Sequence, residues 1–164
     1  MANTNLQKAI ECLRISDLYV RNLESKCHEG FDPKHSDMEG LVVQTKHMVT
    51  KSEVVQSDNE EKLFRVFVDV GIKWAIENEE KELNPQVFIE AEFVAEYAVN
   101  GDLEDECFNE FALRNVSYHV WPYWRELLTS QSDRMRLPRM MLPMTQIAQN
   151  HGEVASAENL TNED

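Results

Sequence analysis

The sharpest pattern in the chain is a strict alternation over residues 63–77. Even positions hold Phe64, Val66, Val68, Val70, Ile72, Trp74 and Ile76, while odd positions include Arg65, Asp69, Lys73 and Glu77. Successive side chains of a strand point to opposite faces, so the spacing predicts one apolar face and one largely solvated face. A charged loop follows over 78–84, and Pro85 opens a second strand. Its apolar face is Val87, Ile89, Ala91, Phe93, Ala95, Tyr97 and Val99, opposite Glu90, Glu92 and Glu96. Two long half-buried strands joined by a short loop predict an antiparallel hairpin.

Upstream, Leu6, Ala9, Ile10 and Leu13 recur at helical spacing and predict a short N-terminal helix within residues 1–13. Strand formers dominate 15–23, a loop with Gly30 and Pro33 comes next, and β-branched residues fill 41–55. After Gly101 the period changes. Asp102 is placed to cap a helix with Leu103, Cys107, Phe111 and Ala112 inside, and Glu104, Asp105 and Glu106 stand near its positive end. A second helical pattern holds Val120, Tyr123, Trp124, Leu127 and Leu128, with Pro122 either starting a new helix or kinking a continuous one. Leu137-Pro138 to Leu142-Pro143 is apolar but too broken for a long helix, and the acidic tail 151–164 is expected to be disordered. Strands first and helices afterwards predict an α+β domain over 14–150. Its expected form is a four-stranded antiparallel β-meander with helices packed on one face.

At 164 residues the chain suits one domain with a sizeable core. A net charge of −14 repels nucleic-acid phosphates and anionic lipid, so neither is an expected partner. The charge serves solubility first and a basic partner second. Cys12, Cys27 and Cys107 lie far apart with no CxxC pair, which fits reduced thiols in a cytoplasmic protein. Neither a secretory leader nor an apolar stretch long enough to insert in a bilayer is visible, so the expected localisation is the cytoplasm.

No Walker loop, GxGxxG, GxSxG or HExxH motif occurs, so neither enzymatic activity nor a cofactor is expected. His28 beside Cys27, with His35, makes half a zinc pattern without its second pair and reads as loop. His119 has no nucleophile beside it in sequence and reads as a core or interface histidine. Glu90, Glu92 and Glu96 would repel one another on a single strand face unless a cation or a basic partner sits opposite. The aromatic run 118–124 reads as core or subunit interface. Met135, Met140, Met141 and Met144 are more suggestive, because flexible thioethers suit a surface that accepts many apolar partners.

Trp121-Pro122-Tyr123-Trp124-Arg125-Glu126, followed by Leu137-Pro138 and Met141-Leu142-Pro143, resembles the signature of the SecB export chaperones. The resemblance runs over roughly residues 15–147. It implies an ATP-independent holdase for unfolded polypeptides, assembled as a homo-oligomer, a dimer of dimers around the long helices. It places client contact at Phe31, Leu41, Trp74, Met140, Met141, Leu142 and Met144. The subunit interface falls at Tyr118, Trp121, Trp124 and Leu128. Docking of the SecA translocation motor falls at Phe88 and Glu90, with Glu92 and Glu96 alongside. Asn22 and Lys26 stand where the family carries acidic residues, which weakens the motor role relative to client holding. A C-terminal lid helix is poorly supported, since 145–149 is short and feebly apolar. Two alternatives follow: a specialised SecB-like chaperone, for example of an antitoxin, and a ligand-binding or enzymatic α+β domain with a pocket between sheet and helix.

Overall fold

A computed structural model describes residues 3–150; the acidic tail lies outside the described residues. Helix α1 (Thr4–Cys12) leads into strands β1 (Leu13–Cys27), β2 (Val42–Gln56), β3 (Lys62–Glu77) and β4 (Leu83–Val99), then helices α2 (Asp105–Arg114) and α3 (Val116–Met135). All strands pair antiparallel in one sheet of order β1-β4-β3-β2. The four-stranded meander expected from the sequence holds only for β2-β3-β4. β1 joins it beside β4, so the 28–41 connection crosses the sheet in Greek-key fashion.

Register explains the clarity of the central pattern. Phe64 pairs with Tyr97, Val66 with Ala95, Val68 with Phe93, Val70 with Ala91, Ile72 with Ile89 and Trp74 with Val87. Every one of these side chains is buried. Ile76 is not, at 47% exposure, because a bulge between Trp74 and Ala75 shifts the register opposite Pro85. Pro85 has no N–H to give the ladder, and the strand accommodates it near its start, Leu83 being the first residue.

The helices close this face. Cys107, Phe111 and Ala112 of α2 and Val116, Val120, Trp121, Trp124 and Leu128 of α3 join the core. Phe111 meets Tyr97 edge-on at 4.8 Å between ring centroids. Asn3 caps α1, its Oδ1 accepting from the Leu6 N–H at 3.1 Å. α2 begins later than the sequence predicts, after Glu104 rather than Asp102, with Asp105 and Glu106 in its positive first turn. Pro122 starts no helix: it sits inside continuous α3. Its missing N–H leaves the Tyr118 carbonyl without its helical donor, and both Tyr118 and Pro122 are exposed.

Arg136 ends α3 in the left-handed region at φ 59°, and the Leu137 N–H reaches back to the Ser132 carbonyl at 2.9 Å. This is a Schellman stop with arginine where glycine is favoured. It turns the chain out of the helix and buries Leu137.

Candidate functional site

Beyond that stop, residues 138–150 run as an irregular strap with no helix or strand. Met140, Leu142 and Ala148 tuck half-buried against the core, as do Phe31, Met38 and Leu41 from the crossover. Met141 and Met144 face outward, 95% and 73% exposed. Four anchors hold the strap. The Trp121 indole N–H donates to the Pro143 carbonyl at 2.7 Å, and Arg125 lies 3.2 Å from the Met144 sulfur. At the far end the Gln149 N–H donates to the His47 carbonyl at 2.7 Å. The Asn150 side chain spans Val49, accepting from its N–H at 2.8 Å and donating to its carbonyl at 2.7 Å.

His47 is the polar member of this region. It is buried, stacks on Trp121 and places Nε2 3.1 Å from the Ser117 hydroxyl, while its buried Nδ1 has no partner. Burial lowers its pKa to about 4, so the ring is neutral at ordinary pH.

Several expected site residues lie elsewhere. Trp74 is 2% exposed and part of the floor under the helices, where no client can touch it. Trp121, Trp124 and Leu128 are likewise buried against the protein's own sheet, which removes them from any subunit interface. Helical spacing puts these three on one face. Tyr118 and Tyr123, 54% and 58% exposed, occupy the other, so Tyr123 is outside rather than inside. Of the expected interface only Tyr118 is available.

The glutamate row is not a solvated face either. Lys73 lies 3.3 Å from Glu90, Arg21 is 2.8 Å from Glu92, and Arg65 Nε is 2.8 Å from Glu96. Arg65 also reaches Glu53 and the Tyr19 hydroxyl at 2.9 Å each, with its guanidinium 5.1 Å above the Phe67 ring centroid. Lys51 and Arg21 flank the same ring. The cations that the row needs therefore come from within the chain.

Strand pairing places Asn22 opposite Glu92, Glu24 opposite Glu90 and Lys26 opposite half-buried Phe88, beside a shallow cleft reaching Lys46 and Asp69. The Asp69 carboxyl is pushed up, by burial first; Lys46 opposes the shift and Glu92 and Glu90 add to it. Gly71 permits the crowding, because a Cβ there would meet the Glu90 side chain at 3.0 Å.

His119 behaves as a core group: its Nδ1 lies 2.8 Å from the hydroxyl of buried Tyr97. Burial lowers the His119 pKa and raises that of Tyr97, so the hydroxyl is the donor. Among the described residues no His/Cys/Asp/Glu cluster is arranged to hold a metal, and no helix is long and apolar enough to cross a membrane.

No family model and no curated protein matches the chain. Among solved structures it superposes on the Mycobacterium tuberculosis SecB-like chaperone Rv1957, solved in complex with a peptide from the HigA1 antitoxin. The TM-score is 0.66 at 16% identity, over 88% of this chain and 98% of that one. The fold is SecB-like.

Within that SecB-like frame, Phe31, Leu41, Met140, Met141, Leu142 and Met144 lie on the two segments that border the core, the crossover and the strap. Sequence reasoning missed His47, Gln149 and Asn150. His47 is one histidine in a β-branched run, and the other two matter only through the backbone of β2 that they meet. No local signal marks them.

Proposed function

We propose that the protein is an ATP-independent holdase that binds non-native polypeptides, without enzymatic activity, in the cytoplasm. One observation carries the reading: apolar side chains that a closed core would enclose are left partly or fully outside along the strap, with Met141 and Met144 outermost. Thioethers adapt to many apolar sequences, which suits unfolded clients. Preferential binding to the unfolded chain is sufficient for holding, since it withdraws that chain from aggregation by mass action. The SecB-like fold supports the same reading, and its structural neighbour was solved with a bound peptide.

The working form is a homotetramer, a dimer of dimers. β1 is a sheet edge with Ile15, Val20 and Leu23 at 46%, 39% and 45% exposure, and α3 turns Tyr118 and Tyr123 outward. Both surfaces are apolar enough to need cover.

Between delivery to SecA and service to one dedicated client such as an antitoxin, the second is favoured. Asn22 and Lys26 are not acidic, and Glu90, Glu92 and Glu96 are already engaged by Lys73, Arg21 and Arg65. The test is aggregation of a diluted, denatured client without nucleotide. Suppression at a few-fold molar excess of the protein is expected; unchanged aggregation refutes the holdase. Binding of SecA that is abolished by Glu90→Lys would restore the export role.

A further inference from the structure

An edge strand carries a row of N–H and C=O groups that a protein must cover or use. β2 is such an edge, paired with β3 on its inner side. On its outer side it meets the end of the strap, and the bonds there have a particular form. His47 gives its carbonyl to the Gln149 N–H, and Val49 gives both its N–H and its carbonyl to the Asn150 amide. When an antiparallel strand adds to an edge, one residue exchanges both bonds with the residue opposite. Asn150 reproduces that exchange with a side chain instead of a backbone. At the strap's other end, the Trp121 indole holds a backbone carbonyl, that of Pro143. Every group that β2 and Trp121 offer here is thus one that any extended peptide could satisfy.

We propose that residues 143–150 stand in for a client, and that an extended polypeptide displaces them to add as a strand on the outer edge of β2. The client takes the His47 carbonyl and both backbone groups of Val49, lays an apolar side chain against Trp121, and gives a carbonyl to its indole N–H. Alternation along β2 points the groups of Val43 and Thr45 the same way as those of His47 and Val49. Val43 is 40% exposed, so the added strand has room to lengthen. Main-chain bonds would then supply sequence-tolerant affinity, and alternate side chains the selection. The occupied edge also imposes a threshold, because apparent affinity is the intrinsic affinity multiplied by the fraction of molecules whose strap is displaced. A peptide that matches only the strap's hydrogen bonds gains nothing. One with apolar residues at alternate positions does.

This inference rests on the holdase reading, and one experiment separates the two. Gln149→Pro with Asn150→Ala, in the full chain, removes the strap's bonds to β2 without touching the core. The probe is a short dye-labelled peptide alternating valine and tyrosine with serine and lysine, followed by fluorescence anisotropy and by amide exchange. The double variant should bind it about fivefold more tightly than the parent. In the parent, saturating peptide should expose the Gln149 amide to exchange while the Val49 amide stays protected. Binding by the variant alone would support the proposal in its strongest form. Equal affinity, with the Gln149 amide still protected in the bound parent, would overturn it and leave the holdase intact. If neither protein binds the peptide or suppresses aggregation, the holdase reading falls and takes the inference with it.

Discussion

His47 lies 4.9 Å from Trp121, ring on ring at 24°, with both side chains buried. A charge on that imidazole would have to be carried without water, which is why its pKa falls from 6.5 to about 4. The unfolded chain takes up the proton first, so stability rises with pH across that window. Above about pH 6.5 the full contribution is present; as pH falls towards 4 about 3 kcal/mol is lost. His47→Phe keeps the stacking and removes the titration. Urea midpoints between pH 7 and 4 should therefore fall more steeply for the parent than for the variant. Parallel curves would show that His47 is not the responsible group.

Arg65 predicts a second kind of loss. Its side chain is 24% exposed and serves Glu53, Glu96, the Tyr19 hydroxyl and the Phe67 ring together. Arg65→Met keeps much of the aliphatic cover over Phe67 but takes the cation from Glu96, while Glu53 keeps Lys51 at 3.3 Å. A destabilisation of about 2–3 kcal/mol is expected. Pairing it with Glu96→Gln should recover part of that cost, whereas strictly additive losses would mean that Arg65 acts through packing alone.

The legible part of this fold is the part with a period. Alternation over β3 and β4 reveals the buried face because each residue there is opposed by another of the same kind, as Val68 is by Phe93. Nothing local tells β1 to pass over β2 and pair with β4; that choice depends on a crossover long enough to allow it. Glu90, Glu92 and Glu96 read as a solvated row because their partners Lys73, Arg21 and Arg65 come from other strands. The aromatic run of α3 mixes two faces, and Pro122 obscured which phase faced inward. The strap was legible as apolar and non-helical, but its seat against β2 rests on backbone groups that carry no residue signature.

Trp74 and Met141 separate the floor of the fold from its proposed grip. Trp74→Ala empties a packed position and should cost about 3–5 kcal/mol. Met141→Ser changes a side chain that is 95% exposed, so the unfolding midpoint should stay within about 0.5 kcal/mol of the parent. On the holdase reading the same substitution weakens suppression of client aggregation. Unaltered suppression at matched stability would remove Met141 from the binding surface.

Arg136 offers a stabilising change. Its left-handed φ of 59° is strained for a side chain with a Cβ and free for glycine. Arg136→Gly should gain about 1 kcal/mol, set against glycine's greater freedom in the unfolded chain. Thermal unfolding would register it as a higher midpoint. A lower one would mean that the guanidinium contributes more than the strain costs.

The outer edge of β1 predicts assembly. Val20 and Leu23 stand exposed on a strand whose other side is fully occupied by β4, and a charge there opposes pairing with a second copy. On the tetramer reading, native mass spectrometry of the parent should give a species about four times the 19.1 kDa chain. Val20→Lys with Leu23→Lys should shift it to smaller species while far-ultraviolet circular dichroism is unchanged, because neither side chain is in the core. A parent that is monomeric at micromolar concentration would contradict the oligomer. It would favour instead a lone α+β domain with its ligand held between sheet and helix.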